Sequence, residues 1–465
     1  MKRWIVLLVV GLAIVLLISP GIVGRLAERN LDVGLAQIDL DSPSIDIQTE
    51  SFERGWFSSA GRHRIDLRDG FLAELVGGPG SEAGSGAAGS GAAIVVETRL
   101  DHGLVPVTSM QRERGTLSPA LASAVSTVAL DPGNGELTAL PGHIFSFIGL
   151  GGTASYRFLL EPGQHSTANV DVDWPHADLV VSQSPDGRHR EVDGVIEPGL
   201  QVRLDDAVTT LGRANIAGFL DRREHPAGEF EIAAEVEPIS VALTSSALRD
   251  ARGDGQLPDA LSVGPISLDA RQSVDDGQVD GRIRLDFAAD QLPQFADVSG
   301  VLRAEYSDLN ADAVAALLAA WQSVDRSLSS GGERGYEGYD SFSSLQAPLR
   351  NLAAGGGRME IAELAVTMPE GEWRLTLDTE VPRSRDPMPA WPSLLLKSET
   401  VAELHVSGSL FNHYAALNPQ LKGAVAGGFL VPDGDGYTLL AELSDGRLLV
   451  NGAPLPLDAL IGASR

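Results

Sequence analysis

A glycine-rich run has the spacing that a dinucleotide-binding loop needs. Gly84-Ser85-Gly86-Ala87-Ala88-Gly89 matches the pattern G-x-G-x-x-G. That chemistry requires a strand before the loop and a helix after it, so that the helix N-terminus meets the pyrophosphate. Residues 94–98, Ile-Val-Val-Glu-Thr, instead have the composition of a strand. The run therefore favours a flexible loop over a nucleotide site.

A second pattern has the residue types of a calcium loop. Asp433-Gly434-Asp435-Gly436 resembles the start of such a loop, with two carboxylates that each precede a glycine. Tyr437 stands at the fifth position, where a calcium loop carries an oxygen ligand from its side chain. We interpret the run as a polar turn that leads into a hairpin.

The best candidate metal ligands are Asp171, Asp173 and His176, which are close together in the sequence. The two aspartates alternate with Val170 and Val172, which is typical of the solvent face of a strand. The nine histidines are otherwise scattered, and the chain has no cysteine. Disulfides, thiolate metal sites and cysteine nucleophiles are therefore excluded.

No catalytic motif is recognisable in the sequence. There is no G-x-S-x-G elbow, no P-loop and no S-x-x-K motif with its companions. A pair of carboxylates could be assembled by folding, but with 63 Asp and Glu residues such a pair is expected by chance. We predict that the protein is not an enzyme, with no catalytic residue, no cofactor and no metal site.

The charge balance excludes one large class of partners. The 465 residues include 35 Lys and Arg against 63 Asp and Glu, a formal net charge of −28. A nucleic acid would be repelled by this charge, so we predict no nucleic-acid partner. Apolar residues make up 43% of the chain, enough to build a sizeable core.

The N-terminus has the features of a membrane anchor. Residues 4–24 contain no charged residue, and about 20 apolar residues span a bilayer as a helix. Lys2 and Arg3 precede the span, which favours a cytoplasmic tail at residues 1–3 and a body on the other side. The alternative is a cleaved signal peptide, but the apolar run is long and residues 19–24 offer no A-x-A-like site.

Most of the remaining chain alternates apolar and charged residues with period two. Phe230, Ile232, Ala234 and Val236 share one face, and glutamates occupy the other. Similar alternation occurs over residues 282–287, 372–378 and 402–407. Such strands belong to antiparallel sheets with one solvated face. Aspartate-glycine pairs predict hairpin turns at Asp69-Gly70, Asp186-Gly187, Asp193-Gly194, Asp276-Gly277, Asp280-Gly281 and Asp445-Gly446.

One central stretch has helical spacing instead. Between Asn310, a suitable N-cap, and Leu328, apolar residues recur every three or four positions, and we expect this stripe, Trp321 included, to pack on a sheet. A second helix is predicted over residues 340–354, ending at a run of three glycines. The predicted fold class is mainly β with a central helical insert (α+β): an extended antiparallel sheet, groove-like if its apolar face is open, after one transmembrane helix.

These patterns divide the chain into seven segments. The order is a cytoplasmic tail (1–3), a transmembrane anchor (4–24), an N-terminal β region (25–76), a flexible Gly/Ala/Ser loop (77–93), a β-rich region (94–306), the helical insert (307–357) and a C-terminal β region (358–465).

The anchor, an element near residue 55 and the C-terminal hairpin at 436–452 together resemble the YdgA-like family of bacterial envelope proteins of unknown function. The resemblance implies a single-pass protein of the inner membrane of a Gram-negative cell, N-terminus inside, with its C-terminal domain in the periplasm. It transfers no catalytic residue. The family-like element, called here the RGWFSS element, consists of Arg54, Gly55, Trp56, Phe57, Ser58 and Ser59.

From the residues alone, we interpret the RGWFSS element as structural, and ligand contact is the alternative. We expect Gly55 to allow a bulge or a close backbone approach, and Trp56 and Phe57 to pack against the body.

Three functions are consistent with the sequence. The first is a non-catalytic protein that binds or scaffolds an envelope partner and is held at the inner membrane through residues 4–24. The second is a lipid-handling module, since strands with one apolar face can curl into a groove, a loose architectural analogy to AsmA-like envelope proteins. The third, hydrolysis of an envelope polymer, is the least favoured. A filled core would favour the first function, and an open apolar groove would favour the second.

Overall fold

The computed structural model describes residues 45–67, 76, 92–102, 120–133, 136–166, 170–204, 207–243, 260–290, 297–329, 345–386, 390, 393–394 and 396–456. The tail, the anchor at residues 4–24 and most of the loop at 77–93 lie outside this set. None of the described helices combines the length and the apolar character that crossing a membrane requires. The chain forms two compact units, Met1–Asn215 and Ile216–Arg465.

The first unit is built from antiparallel strands. Its main ladder runs in the order β1, β2, β3, β4, β6, β7, β10, β11, and a second ladder runs β8, β9, β12, β13. The strands are β1 (Ile45–Arg54), β2 (Ser58–Leu67), β3 (Ala93–His102), β4 (Ala120–Asp131), β5 (Thr138–Ala139), β6 (Gly142–Gly149), β7 (Ala154–Leu160), β8 (Gly163–Ser166), β9 (Val170–Trp174), β10 (Ala177–Gln183), β11 (His189–Ile196), β12 (Leu200–Leu204) and β13 (Ala207–Leu211).

Alternation along β9 shows how these strands bury one face. Val170, Val172 and Trp174 are buried together and pack against apolar residues of neighbouring strands. Between them, Asp171 points to solvent and pairs with Arg203 on β12 at 3.4 Å. The solvent-face interpretation of this stretch is confirmed.

The second unit contains a longer antiparallel ladder and four helices within its described residues. The order is β15, β17, β18, β19, β20, β21, β22, β24, β25, β26, with β16 beside β17 and β23 beside β24. The elements are β15 (Glu229–Val236), β16 (Ile239–Leu243), β17 (Ala260–Asp275), β18 (Gln278–Asp290), β19 (Val298–Asn310), α1 (Ala311–Ser329), α2 (Gln346–Gly355), β20 (Gly357–Met368), β21 (Gly371–Val381), β22 (Glu399–Ser407), α3 (Gly408–Leu417), α4 (Leu421–Ala426), β23 (Val431–Asp433), β24 (Gly436–Ser444), β25 (Arg447–Val450) and β26 (Ala453–Leu455). A further strand, β14 (Ala214–Asp221), begins in the first unit and ends in the second. The prediction of a mainly antiparallel β protein is confirmed.

The helical insert forms with two corrections. Asn310 caps α1 as predicted, since its Oδ1 accepts a hydrogen bond from the Ala313 N–H at 2.9 Å. Trp321 is 54% exposed, so the expectation that it packs on the sheet is wrong. The second helix begins at Gln346, later than predicted, because Pro348 is tolerated only in a first turn, where backbone N–H groups have no partner within the helix.

The predicted hairpin turns are confirmed at three places. Asp186-Gly187, Asp276-Gly277 and Asp445-Gly446 each join two neighbouring strands. Asp193-Gly194 and Asp280-Gly281 lie inside β11 and β18, so those two predictions are wrong. Asp69-Gly70 lies outside the described residues.

Two helices were not identified from the sequence. Ser407 caps α3 by accepting a hydrogen bond from the Leu410 N–H at 3.4 Å. The buried residues of α3, Leu410, Phe411 and Ala415, follow helical spacing, a signal that the alternation of the flanking strands obscures.

Candidate functional site

A row of leucines crosses seven strands of the second unit. In the register of the ladder, each leucine lies directly opposite the next. The leucine row consists of Leu268, Leu285, Leu302, Leu364, Leu375, Leu404 and Leu439. Because neighbouring side chains alternate between the two faces of a strand, the whole row lies on one face of the sheet.

Two further apolar rows flank the leucine row on the same face. One contains Ile232, Ala270, Ile283, Ala304, Ile361, Leu377, Ala402, Ala441 and Val450. The other contains Val236, Ile266, Phe287, Gly300, Val366, Trp373, Val406 and Tyr437. The three rows together are called the apolar face below.

A β-bulge keeps the apolar face continuous at β20. Ile361 and Leu364 are three positions apart, a spacing that would place them on opposite faces of a regular strand. The ladder shifts register between them on both sides of β20. The extra residue returns Leu364 to the face that carries Ile361.

The opposite face of the same sheet is charged. Arg303 pairs with Glu363 across strands at 2.9 Å, and Arg358 pairs with Asp378 at 2.7 Å. Arg282 reaches Asp269 at 3.6 Å. Hydrogen bonding to Arg358 is the main cause that lowers the pKa of Asp378. Such exposed, mutually paired charges show that this face is solvated.

Described helices cover the two ends of the apolar face. At one end, Val279 of the sheet packs with Ala311 and Val314 of α1. At the other, Phe411 of α3 contacts the ring of Tyr437, with centroids 4.2 Å apart. The leucine row lies between these ends, and all seven leucines are only partly buried. Leucines enclosed between two layers would be buried, so the middle of the apolar face is accessible.

A buried polar network joins one end of the apolar face to the loop before β15. The Tyr306 hydroxyl donates to Gln272 Oε1 at 2.8 Å. Gln272 Nε2 donates in turn to the backbone oxygens of Ala227, at 3.2 Å, and Gly228, at 2.7 Å. Burial raises the pKa of Tyr306. The network satisfies the amide of Gln272, which is only 6% exposed.

A polar cavity of about 470 Å³ opens beside this network. Its lining carries both signs of charge, with Arg271, Arg282 and Arg358 beside Asp280, Glu305 and Glu360. Arg282 and Arg358 already pair with Asp269 and Asp378. The arrangement fits a solvated ion-pair network and assigns no ligand.

The RGWFSS element forms the turn between β1 and β2. The Gly55 N–H donates to the Ser58 carbonyl oxygen at 2.8 Å, and a Cβ on Gly55 would lie 2.7 Å from that oxygen. The expected close backbone approach is therefore present, but the bulge of β1 lies elsewhere, between Thr49 and Ser51. Trp56 is 58% exposed and Phe57 is 56% exposed, so the prediction that they pack against the body is wrong.

The other sequence candidates do not converge on one site. The run at 84–89 lies outside the described residues. Asp433-Gly434-Asp435-Gly436 forms the turn between β23 and β24, as interpreted. Among the described residues, no group of three histidines or carboxylates is arranged to hold a metal ion.

The continuity of the apolar face could not be read from single strands. Alternation shows which side chains of one strand share a face, but the register of the ladder decides which residues of two strands become neighbours. The recurrence of leucine near the middle of most strands from β17 to β24 was the available signal.

Comparisons with known proteins identify a family but no characterised relative. No curated protein matches the chain. No solved structure matches it either. The family profile of DUF945, described as a bacterial protein of unknown function, matches residues 1–458. The chain therefore belongs to this bacterial family of unknown function.

Proposed function

We propose that this protein is a non-catalytic lipid-binding protein of the bacterial cell envelope, and that acyl chains lie along its apolar face. The observation that carries the proposal is the leucine row, which crosses seven strands and is only partly buried. A contiguous apolar surface of this extent that is left accessible is rare on soluble monomers and marks an interaction site.

The leucine row is about as long as two acyl chains laid end to end. Strands lie about 4.8 Å apart, so six spacings give a row of about 29 Å. The hydrocarbon core of a bilayer is about 30 Å thick and is filled by two acyl chains end to end. A long, narrow strip with charges only on the reverse side of the sheet supports extended hydrocarbon as the ligand. Typical protein interfaces have a polar rim around the apolar centre.

The proposed location is the inner membrane, with the body in the periplasm. Its support is the uncharged segment at residues 4–24, preceded by Lys2 and Arg3. The resemblance of the RGWFSS element and the C-terminal hairpin to the YdgA-like family also supports it. The net charge of −28 opposes flat contact between the body and an anionic membrane surface. We therefore expect the body to stand away from the membrane surface and to take up lipid from it without lying flat on it.

A photocrosslinking experiment on the full-length chain tests acyl-chain binding. A photoreactive amino acid replaces Leu302 in cells, and the adducts are identified by mass spectrometry after irradiation. Position Arg303 is the matched control, because it follows Leu302 on β19 and faces the charged side. We expect lipid adducts at position 302 and none at position 303.

Two outcomes would contradict the proposal. Equal lipid labelling at both positions would mean that the lipid is nonspecific. Adducts at position 302 that contain a protein instead of a lipid would favour the alternative role, scaffolding of an envelope partner on the same face.

A further inference from the structure

The turn of the first hairpin exposes two aromatic side chains next to each other. Trp56 and Phe57 are each more than half exposed, and among the described residues no other two consecutive large apolar side chains are. Gly55, which precedes them, is fixed by its hydrogen bond to Ser58, so the turn is built and not an open loop. The exposure is therefore a property of a defined structure.

The chemistry of this turn matches the interfacial region of a membrane. Tryptophan is enriched at membrane–water interfaces, where an apolar ring and a polar N–H are both accommodated. Glu53 and Arg54 are both exposed at the end of β1, so the charges that lead into the turn cancel. Ser58 and Ser59, on the other side, add no charge. An exposed indole and phenyl group on a turn without net charge fit a lipid surface.

The length of the chain allows this turn to contact the membrane that holds the anchor. Residues 25–44 number 20 between the predicted anchor and β1. They can span at most about 66–72 Å when fully extended. The turn lies about 30 Å from Ile45 along β1, at about 3.3 Å per residue. Because the turn is covalently linked to the predicted anchor within this distance, its effective concentration at the surface is high, and even a weak contact forms.

We infer that Trp56 and Phe57 insert into the interfacial region of the bilayer and form a second, reversible contact between the first unit and the membrane. The inference rests on the proposed membrane location and not on acyl-chain binding. A contact limited to one turn also accommodates the net charge of −28, because the acidic body can remain away from the anionic surface.

The chain has no cysteine, so one label can be placed at one position. Full-length Phe57→Cys protein is labelled with an environment-sensitive fluorophore. It is reconstituted into vesicles of phosphatidylcholine with a minor fraction of phosphatidylglycerol, with or without brominated acyl chains. We expect the emission to shift to the blue on reconstitution and its intensity to fall when brominated lipid is present.

Arg188→Cys is the matched control, since Arg188 is exposed in the polar turn between β10 and β11 of the same unit. Its label should show neither the shift nor the quenching. Adding Trp56→Ser to the Phe57→Cys chain should weaken the quenching, because the indole, the inserting ring that this chain still carries, is lost.

The inference is overturned if the labels at positions 57 and 188 give the same spectra, or if brominated lipid leaves the label at 57 unchanged. Failure of the labelled chain to float with the vesicles would overturn it as well. Crosslinking at Leu302 reports on the second unit, whereas the label at position 57 reports on the first. Either proposal can therefore be contradicted while the other is confirmed.

Discussion

Four glycines inside strands lie under the aromatic ring of the residue directly opposite. Glycine weakens a strand, and a cross-strand aromatic ring that covers it restores packing. The pairs are Phe52 with Gly61, Trp174 with Gly163, Tyr306 with Gly281, and Phe287 with Gly300. In the sequence, Asp280-Gly281 resembled a turn. The pairing with Tyr306 explains why it is instead part of β18.

Gly281→Ala should destabilise the second unit. The new Cβ would occupy the space of the Tyr306 ring. It would also lie 2.7 Å from the Arg271 carbonyl oxygen, a backbone atom that cannot shift without a cost in free energy. Displacing the ring breaks its hydrogen bond to Gln272 and leaves a buried amide oxygen unsatisfied, a loss of about 1–3 kcal/mol. This exceeds the gain of about 0.5–1 kcal/mol from replacing a strand glycine by alanine. Urea unfolding followed by circular dichroism measures the difference.

Gly423→Ala provides the control in the same unit. Gly423 lies in α4, and a Cβ placed there would meet no atom within 4 Å apart from its chain neighbours and the backbone of its own helix. Its replacement should leave the free energy of unfolding unchanged or slightly raise it, since alanine favours helix. If Gly281→Ala were equally neutral, the account of the Tyr306–Gln272 network would be wrong.

At the residue scale, the sequence predicted local hydrogen bonding better than burial. The N-cap at Asn310 and the close approach at Gly55 both follow from backbone chemistry within a few residues. The exposure of Trp56, Phe57 and Trp321 depends on which element lies beside them. That is a tertiary property, which residue type alone does not determine.

The order of the strands in the main ladder of the first unit cannot be predicted from the alternation of apolar and polar residues. Strand β7 pairs with β10, while β8 and β9, which lie between them in sequence, belong to the second ladder. Consecutive strands are neighbours in only about two-thirds of cases, so the order of strands must be observed. The period of each strand was predictable because it reflects one buried and one solvated face.

An ion pair between β7 and β10 predicts how stability changes with pH. Arg157 donates to both carboxylate oxygens of Asp178, at 2.9 and 2.6 Å. Hydrogen bonding to Arg157 is the main cause that lowers the pKa of Asp178 from 3.8. A lowered pKa in the folded state stabilises the protein above the unfolded value of 3.8, and this contribution is lost as the pH falls through the folded value.

Asp178→Asn should therefore destabilise the protein at pH 7 and have little effect at strongly acidic pH. Because Arg157 is 39% exposed, we expect a difference of about 0.5–1 kcal/mol at neutral pH. Denaturant unfolding at both pH values measures it. Asp193→Asn, which removes an exposed carboxylate from the adjacent β11, should have a smaller effect at pH 7. A difference for Asp178→Asn that persists unchanged below pH 3.8 would contradict the assignment.

At the scale of the whole molecule, the second unit separates two surfaces by one layer of strands. The charged face contributes little to stability, since exposed ion pairs are worth about 0–1 kcal/mol each. The apolar face is only partly covered by described helices, so part of the hydrophobic stabilisation that its leucines could provide is still available to a ligand. The sequence predicted both faces for single strands. It did not predict their continuity across seven strands, because continuity depends on register and on the bulge of β20.

If the leucine row is one continuous binding site, a change at one strand should affect lipid contact at another. Separate binding points on single strands would not show this effect. An acyl chain that lies along the leucine row must pass Leu302 to reach both β18 and β21. A carboxylate at position 302 should therefore reduce lipid contact at Leu375, two strands away. Contact between a carboxylate and hydrocarbon costs well over about 1.4 kcal/mol, so the reduction should be about tenfold or more.

The measurement places the photoreactive amino acid at position 375 and compares lipid adducts with and without Leu302→Glu. Val301→Glu is the matched control, because residue 301 precedes Leu302 on β19 and lies on the charged face of the sheet. We expect the adduct at position 375 to fall with Leu302→Glu and to be retained with Val301→Glu. An adduct that survives Leu302→Glu undiminished would show that lipid binds at separate points, and the leucine row would then not be one continuous site.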